Sequence, residues 1–539
     1  MAQIQVLYRQ TPSCDESISK HQGLNPSCTI LQKGFQKDPG TRPFEAATIF
    51  DRDIQIPLRD GVKLRADVFR PVTDFKVPAL VVWSPYGKSG AGFFNLDYVP
   101  GRAGIPVSKL SGMEKFEGLD PAEWVGRGYA IVNIDARGVF ESEGDIRWFG
   151  KAEGRDGYDA IEFIAQLPWC SGKTSLVGNS WLAMSQWFIA AERPPHLSCI
   201  APWEGASDFY RETLCRGGVP YKPFWAFVSG LLFGRNKQED VLAMLEKYPY
   251  MNEYWADKRA EIHKIEVPAY ILASFSTGLH TAGSFRGYEE IPHDKKWLRV
   301  HPTQEWHDIY QPENVDDLCL FLDRYTKGIE NGWEKTPNVR ISMLPFNKVD
   351  ADSEELLFTY TFPRKSYMVG YSKAVLYMSC SSHDDLDVFI QLRKASTDGT
   401  ILQNINIPLK DMGLESATEV VPINTNIYLG PTGILRASHR AIHPTFSKPS
   451  SNEIIYAHTE GTIRKVNCDE VVRLEISIWP TAMVFEAQEK LVLKIAGHPL
   501  VLAEFEPLRG AFVADNKGRH VVHFGGQYDS HVEIPLIDM

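Results

Sequence analysis

A serine set between a short apolar run and a helix-like one is the residue of this chain best placed for covalent chemistry. Lys173-Thr-Ser-Leu-Val-Gly-Asn-Ser-Trp-Leu-Ala183 reads as a strand ending at Gly178, a tight turn through Asn179 and Ser180, and a helix running to Ala191. A hydroxyl on such a turn stands above the sheet edge, where it meets a base and the N–H groups that open the helix. Ser180 is therefore a candidate nucleophile. The motif alone is a weak signal, because Leu182 and Ala183 replace the second glycine of a strict G-x-S-x-G. His307 lies a few residues past the last strand-like run and is the candidate base, with His301 and His280 as rivals.

The elements that must position these groups are legible as apolar runs. Residues 77–86, 129–137, 174–177, 197–202, 267–275 and 297–301 read as buried strands, rich in Val and Ile and bounded by Gly or Pro. Helical patterns separate them, notably over 157–167 and 181–191. Such alternation predicts a parallel sheet with its chemistry at the carboxyl ends of the strands. A nucleophile, then an acid, then a histidine is the chain order of an α/β-hydrolase, and Ser180 followed by His307 fits it.

Composition narrows the function classes. The chain has 539 residues, a formal net charge of −11 and 43% hydrophobic residues, enough for full cores in more than one domain. The acidic balance argues against a nucleic-acid partner. Eight cysteines are scattered without a C-x-x-C pair and read as reduced thiols. No stretch approaches eighteen apolar residues, and the first residues lack the apolar core of a signal peptide, so the expectation is a cytoplasmic protein without a membrane segment. Neither H-E-x-x-H, nor a Cys/His cluster with ligand spacing, nor a phosphate-binding Gly-rich loop occurs, so no metal and no cofactor is expected.

Four regions follow. Residues 1–45 form a polar N-terminal arm; 46–206 and 266–332 carry the strand–helix alternation; 207–265 interrupt it as a helical insertion. A cap over the serine belongs at such an insertion, although most of its aromatics (Tyr210, Tyr221, Phe224, Trp225, Phe227, Phe233) read as its own core. From 333 to 539 helical periodicity gives way to short β-rich runs, at 374–378, 388–392, 471–478 and 490–495, which predict an all-β sandwich or jelly roll.

Several ordered words make the chain resemble the cocaine esterase / X-prolyl dipeptidyl-peptidase-like (CocE/NonD) hydrolases. They are Leu58-Arg-Asp-Gly-Val-Lys-Leu-Arg-Ala-Asp-Val-Phe-Arg-Pro71, Ser84-Pro-Tyr-Gly-Lys88, Asp135-Ala-Arg-Gly138, Glu153-Gly-Arg-Asp-Gly-Tyr-Asp159 and Gly178-Asn-Ser-Trp-Leu-Ala183. Later words are Leu435-Arg-Ala-Ser-His-Arg-Ala441, Trp479-Pro-Thr-Ala-Met-Val-Phe-Glu486 and Tyr528-Asp-Ser-His531. The resemblance covers about residues 46–539. It implies an α/β-hydrolase fold with an inserted helical cap, followed by a jelly-roll domain. It further implies that Tyr86 donates its hydroxyl to an oxyanion, that the Trp181 backbone N–H is the second donor, and that His307 is the base. A monomer or homodimer is ordinary for such enzymes.

One position departs from the pattern. Where the family has an aspartate in a W-x-D word after the 267–275 strand, this chain reads Ala273-Ser-Phe-Ser-Thr-Gly-Leu-His280, with Thr277 about where the acid belongs. Glu204, Asp208, Glu305 or Asp308 is a substitute on this reading, or Ser180 and His307 act as a dyad, or the site has turned to other chemistry. The leading expectation is hydrolysis of an ester or amide of a small organic acyl compound through an acyl-serine. The alternative is isomerisation, cyclisation or C–C bond chemistry on a secondary metabolite, with a non-catalytic small-molecule binder as a third reading. X-prolyl peptidase activity would need an acidic pocket for a substrate amine, and Glu141, Glu143, Glu153 and Asp156 read only as loop charges.

Overall fold

The Val- and Ile-rich runs form the centre of a ten-stranded mixed sheet. The computed structural model describes residues 4–346, 348–349 and 356–537. The sheet consists of β1 (Ser27–Leu31), β2 (Thr48–Pro57), β3 (Lys63–Pro71), β4 (Val77–Ser84), β5 (Ala130–Asp135), β6 (Cys170–Gly178), β7 (Leu197–Pro202), β8 (Ala269–Ser274), β9 (Lys296–His301) and β10 (Val339–Ile341). Their spatial order is β10-β9-β8-β7-β6-β4-β5-β3-β2-β1. Strands β4 to β10 pair in parallel, whereas β1, β2 and β3 form an antiparallel edge.

Every residue of β4, β5 and β8 is buried. Consecutive side chains of a strand point to opposite faces, so these strands are covered on both, which is why they read as unbroken apolar runs. The crossovers are helical: α1 (Lys151–Ala165) leads into β6, α2 (Trp181–Ala191) joins β6 to β7, and α3 (Thr281–Glu290) joins β8 to β9. A short α4 (Glu305–Ile309) follows β9.

Two boundaries differ from the sequence expectation. The 1–45 segment is not merely an arm, since β1 extends the sheet and Tyr8–Gln10 pairs antiparallel with Lys237–Glu239. Strand β10 lies beyond residue 332 yet pairs in parallel with β9, so the sheet claims residues that the loss of helical periodicity had assigned to the β-rich half. A strand this short carries no period to detect.

Between β7 and β8 the chain makes a helical turn at Phe209–Leu214 and helices at Lys222–Ser229, Val241–Lys247 and Glu253–Asp257. Its aromatics pack against the body as well as each other: Trp225 meets Trp148 at 5.7 Å between ring centroids, and Trp148 meets Trp181 at 4.8 Å. The second half of the chain holds a seven-stranded and a five-stranded antiparallel sheet. Its long strands Ser366–Cys380 and Val472–Phe485 are paired, and burial along the first part of Val472–Phe485 alternates, as one core-facing side requires.

Candidate active site

The turn between β6 and α2 is strained in the way a raised nucleophile demands. Ser180 has φ 55° and ψ −120°, a region that costs a non-glycine residue on the order of 1–3 kcal/mol. Gly178 makes the turn feasible: its φ is 142°, and a Cβ there would stand 2.4 Å from the Leu182 side chain. The position that lacks a glycine is accommodated from across the packing. A Cβ on Gly205 would stand 2.8 Å from the Ala183 Cβ, so Gly205 supplies the room that a glycine in the helix would otherwise supply. The Ser180 N–H donates to the Glu204 carbonyl at 2.8 Å, and the Asn179 N–H donates to the Glu117 carbonyl at 3.0 Å.

The histidine at the serine is His280. Its Nε2 lies 3.2 Å from Ser180 Oγ. His280 follows β8 and immediately precedes α3, so it comes from the loop where the family resemblance places an acid. Burial pushes its pKa down to about 4, with the Glu204 carboxylate pulling the other way. Its Nδ1 is buried without a hydrogen-bond partner.

His307, the expected base, does not reach Ser180. Its Nε2 is 3.1 Å from Asp411 Oδ2 and 3.2 Å from Gln311 Nε2, on the far side of α4. Successive residues of a helix point about 100° apart, so Glu305 and Trp306 face the serine recess while His307 turns away from it. His301, the other rival, is committed to Glu204, with Nε2 2.5 Å from Oε1.

Tyr86 and Trp181 are where the sequence put them. Tyr86 follows the end of β4, buried against Phe94, Phe116 and the Trp181 ring, and its hydroxyl is within hydrogen-bond reach of Ser180. Burial holds its pKa well above the ordinary phenol value, so it is a hydroxyl donor. The Trp181 N–H opens α2 and has no intrahelical acceptor, as for every first-turn amide.

Among the described residues no carboxylate bonds to His280; a relay of side chains stands beside it instead. Ser274 Oγ contacts Glu204 Oε2 at 2.9 Å and Thr277 Oγ1 at 2.8 Å, and Thr277 Oγ1 contacts Glu305 Oε2 at 2.5 Å. Three contacts share two hydroxyl hydrogens, so the third hydrogen belongs to a carboxyl. Glu305 is that carboxyl, because burial and then the Glu204 charge hold its pKa well above the carboxylate range. Thr277, at the expected acid position, therefore joins Glu305 to Glu204. Asp308 pairs with Arg299 and Asp208 with Arg211, so neither serves the serine.

The serine opens into a recess of about 650 Å³, its mouth included. Glu117, Glu305 and Glu504 line it, and among the described residues no Lys or Arg does. Burial pushes Glu117 and Glu504 up to about 7. Glu117 Oε1 accepts from Trp306 Nε1 at 2.8 Å and Asn179 Nδ2 at 3.1 Å, which fixes the turn ahead of Ser180. Asn406, Asn424, Thr425 and Phe505 complete the wall from the β-rich half. That contribution had no sequence signal, whereas His280 had one: the loop lacking an aspartate carries a histidine three residues on.

Cys14, His21 and Glu141 come within 4.8 Å of one another, a grouping that spacing in the sequence does not reveal. Glu141 is already paired with His21 and Arg235. Among the described residues, no helix is long and apolar enough to cross a membrane.

Comparison with known proteins adds to this geometry. Residues 60–240 match the family model for X-Pro dipeptidyl-peptidase (S15 family), and residues 346–533 match that for the X-Pro dipeptidyl-peptidase C-terminal non-catalytic domain. A cocaine esterase of Rhodococcus sp. (strain MB1 Bresler) is 31% identical over 159 residues, which are 30% of this chain and 24% of the esterase. The chain thus matches about a quarter of that relative's length. A crystal structure of a CocE/NonD family hydrolase from Staphylococcus aureus superposes with a TM-score of 0.82 at 26% identity, over 96% of this chain and 97% of that one. An α-amino acid ester hydrolase shares the fold, with a TM-score of 0.64 at 14% identity over 93% and 98% of the two chains.

Proposed function

The chain belongs to the cocaine esterase / X-prolyl dipeptidyl-peptidase-like (CocE/NonD) hydrolase family, and from that premise we propose that it cleaves an ester or amide of a small acyl compound through an acyl-serine. The observation that carries this reading is the 3.2 Å contact between Ser180 Oγ and His280 Nε2 on a strained turn. His280, neutral because it is buried, takes the Ser180 proton as Oγ attacks the carbonyl carbon. The oxyanion that forms is held by the Tyr86 hydroxyl and the Trp181 N–H, each donor worth about 3 kcal/mol in the transition state. Collapse expels the alcohol or amine, which takes the proton from His280, and water repeats the steps to release the acid. Glu204 stabilises the imidazolium through space rather than through a hydrogen bond, since its charge is the one that favours the protonated form.

A fluorophosphonate probe tests this directly. It labels the protein at Ser180, the label is lost in Ser180→Ala, and hydrolysis of 4-nitrophenyl butyrate falls at least 10³-fold in both Ser180→Ala and His280→Ala. His307→Ala keeps its turnover within about threefold. Turnover that survives Ser180→Ala would turn the assignment to acid–base chemistry without an acyl-enzyme, and a 10³-fold loss confined to His307→Ala would return the base to His307.

A second reading rests on the acidic recess. Three carboxyls without a lysine or arginine suit a substrate that bears an amine close to its scissile carbonyl. Binding of that cation would draw protons off Glu117 and Glu504, whose pKa values near 7 leave both forms accessible. An aminoacyl ester turned over at least tenfold faster than its N-acetylated counterpart is the result this reading requires.

A further inference from the structure

Two more cavities lie between the serine recess and the β-rich half. A middle one, narrow, shares Gly278, Leu279, Asn424 and Glu504 with the serine recess. It shares Arg216, Glu212 and Ile434 with a third, also narrow. The three form a string from Ser180 to Arg216.

Arg216 differs from the other charged side chains at that end. Arg286 is paired with Glu212, Arg211 with Asp208 at 2.8 Å, and Glu453 lies 3.5 Å from Lys448. Arg216 has no ion pair among the described residues. Its guanidinium lies over the Trp479 ring at 3.7 Å, and only Thr432 accepts from it, through Oγ1 at 3.1 Å and through its carbonyl. A guanidinium has five N–H donors in a planar fork, so three are left without a protein acceptor and the cavity is the space open to them. The backbone beneath is fixed: Gly217 has φ 58°, and a Cβ there would stand 2.0 Å from the Ile434 carbonyl oxygen. Burial pulls the Arg216 pKa down to about 9, so an anion would relieve a desolvation cost that the Trp479 ring and Thr432 offset only in part.

We propose that Arg216, stacked on Trp479 at the far end of the cavity string from Ser180, is a binding subsite for the carboxylate of a small organic anion. One unpaired cation matches one negative charge. A dianionic phosphate would be left undercompensated beside Glu212 and Glu453. The carboxylate belongs to the acyl part of a substrate whose carbonyl sits at Ser180, or to a separate small acid occupying the same subsite.

Mono-4-nitrophenyl esters of the dicarboxylic acids from succinate to suberate, each beside its neutral methyl 4-nitrophenyl diester, separate these sources. For a substrate carboxylate, the best monoester exceeds its neutral partner at least tenfold in kcat/KM. That ratio falls to within threefold of one in Arg216→Gln and in Trp479→Leu, and is partly kept in Arg216→Lys. For a separate acid, no ester is preferred, but adipate binds the Ser180→Ala protein in calorimetry and binding is lost with Arg216→Gln. The calorimetric arm needs no turnover, so it stands whether or not the chain is a serine hydrolase. Thermal melting of each variant identifies any that fails to fold, and Trp479→Leu then replaces it. An ester preference that persists in Arg216→Gln, or no preference together with no adipate binding, overturns the proposal.

Discussion

Burial keeps the His280 imidazole neutral down to about pH 4, and only the neutral ring is able to accept a proton from Ser180, 3.2 Å away. Protonation removes the base, so hydrolysis is expected to fall as pH drops through about 4, not through the 6.5 of a free imidazole. A pH profile of kcat/KM with its acid limb below pH 5 supports His280, and a limb at 6.5 or above contradicts it. The same shift has a stability consequence. The folded pKa lies below the unfolded one, so stability is fully present above pH 6.5 and is lost as pH falls toward 4, by about 3 kcal/mol. Glu204→Gln removes the charge that favours the imidazolium and lowers kcat roughly tenfold or more. Ser180, Tyr86 and Trp181 were legible in the sequence because each belongs to an element whose end is fixed by the chain itself. The choice among His280, His301 and His307 was not, because it depends on which way a loop and one short helix present their side chains.

At the scale of elements, the approach of α2 to the β7–α3 region makes the turn tolerant of its missing glycine. Gly205→Ala is expected to push Ala183 and the Met184 amide, 2.8 and 2.9 Å from the new Cβ, and to cost about 1–3 kcal/mol. Because that shift moves the start of α2, the Trp181 N–H moves with it and kcat falls alongside the melting temperature. Ala183→Gly introduced in the same chain removes the Cβ contact but not that with the Met184 amide, so it restores both in part, and a double-mutant cycle without coupling would refute the contact. The strand–turn–helix was readable because an apolar run and a helical period meet there. The compensating glycine was not, because residues 183 and 205 are neighbours only after β7 has packed beside β6.

At the scale of the molecule, the recess is built by both halves. Phe505 from the β-rich half stacks on Trp306 at 6.3 Å and on Phe224 at 6.4 Å, closing the wall opposite Ser180. Phe505→Ala should cost about 3 kcal/mol in denaturant unfolding and raise KM more than it lowers kcat, since it removes a wall but no reacting group. A variant with unchanged stability and KM would mean that the two halves do not share the site.

The sequence by itself determined the parallel sheet and the serine turn, because hydrophobic period and turn chemistry act over neighbouring residues, while the resemblance pointed to Tyr86 and the Trp181 N–H beside that turn. The same resemblance put Thr277 about where the family carries its acid. Only the tertiary structure decided that His280 meets Ser180, that Glu204 and Glu305 are joined through Ser274 and Thr277, and that the β-rich half walls the recess. Those outcomes depend on side-chain direction and on contacts between loops that only the packed fold brings together, Ser180 and His280 being 100 positions apart and Glu204 and Ser274 being 70.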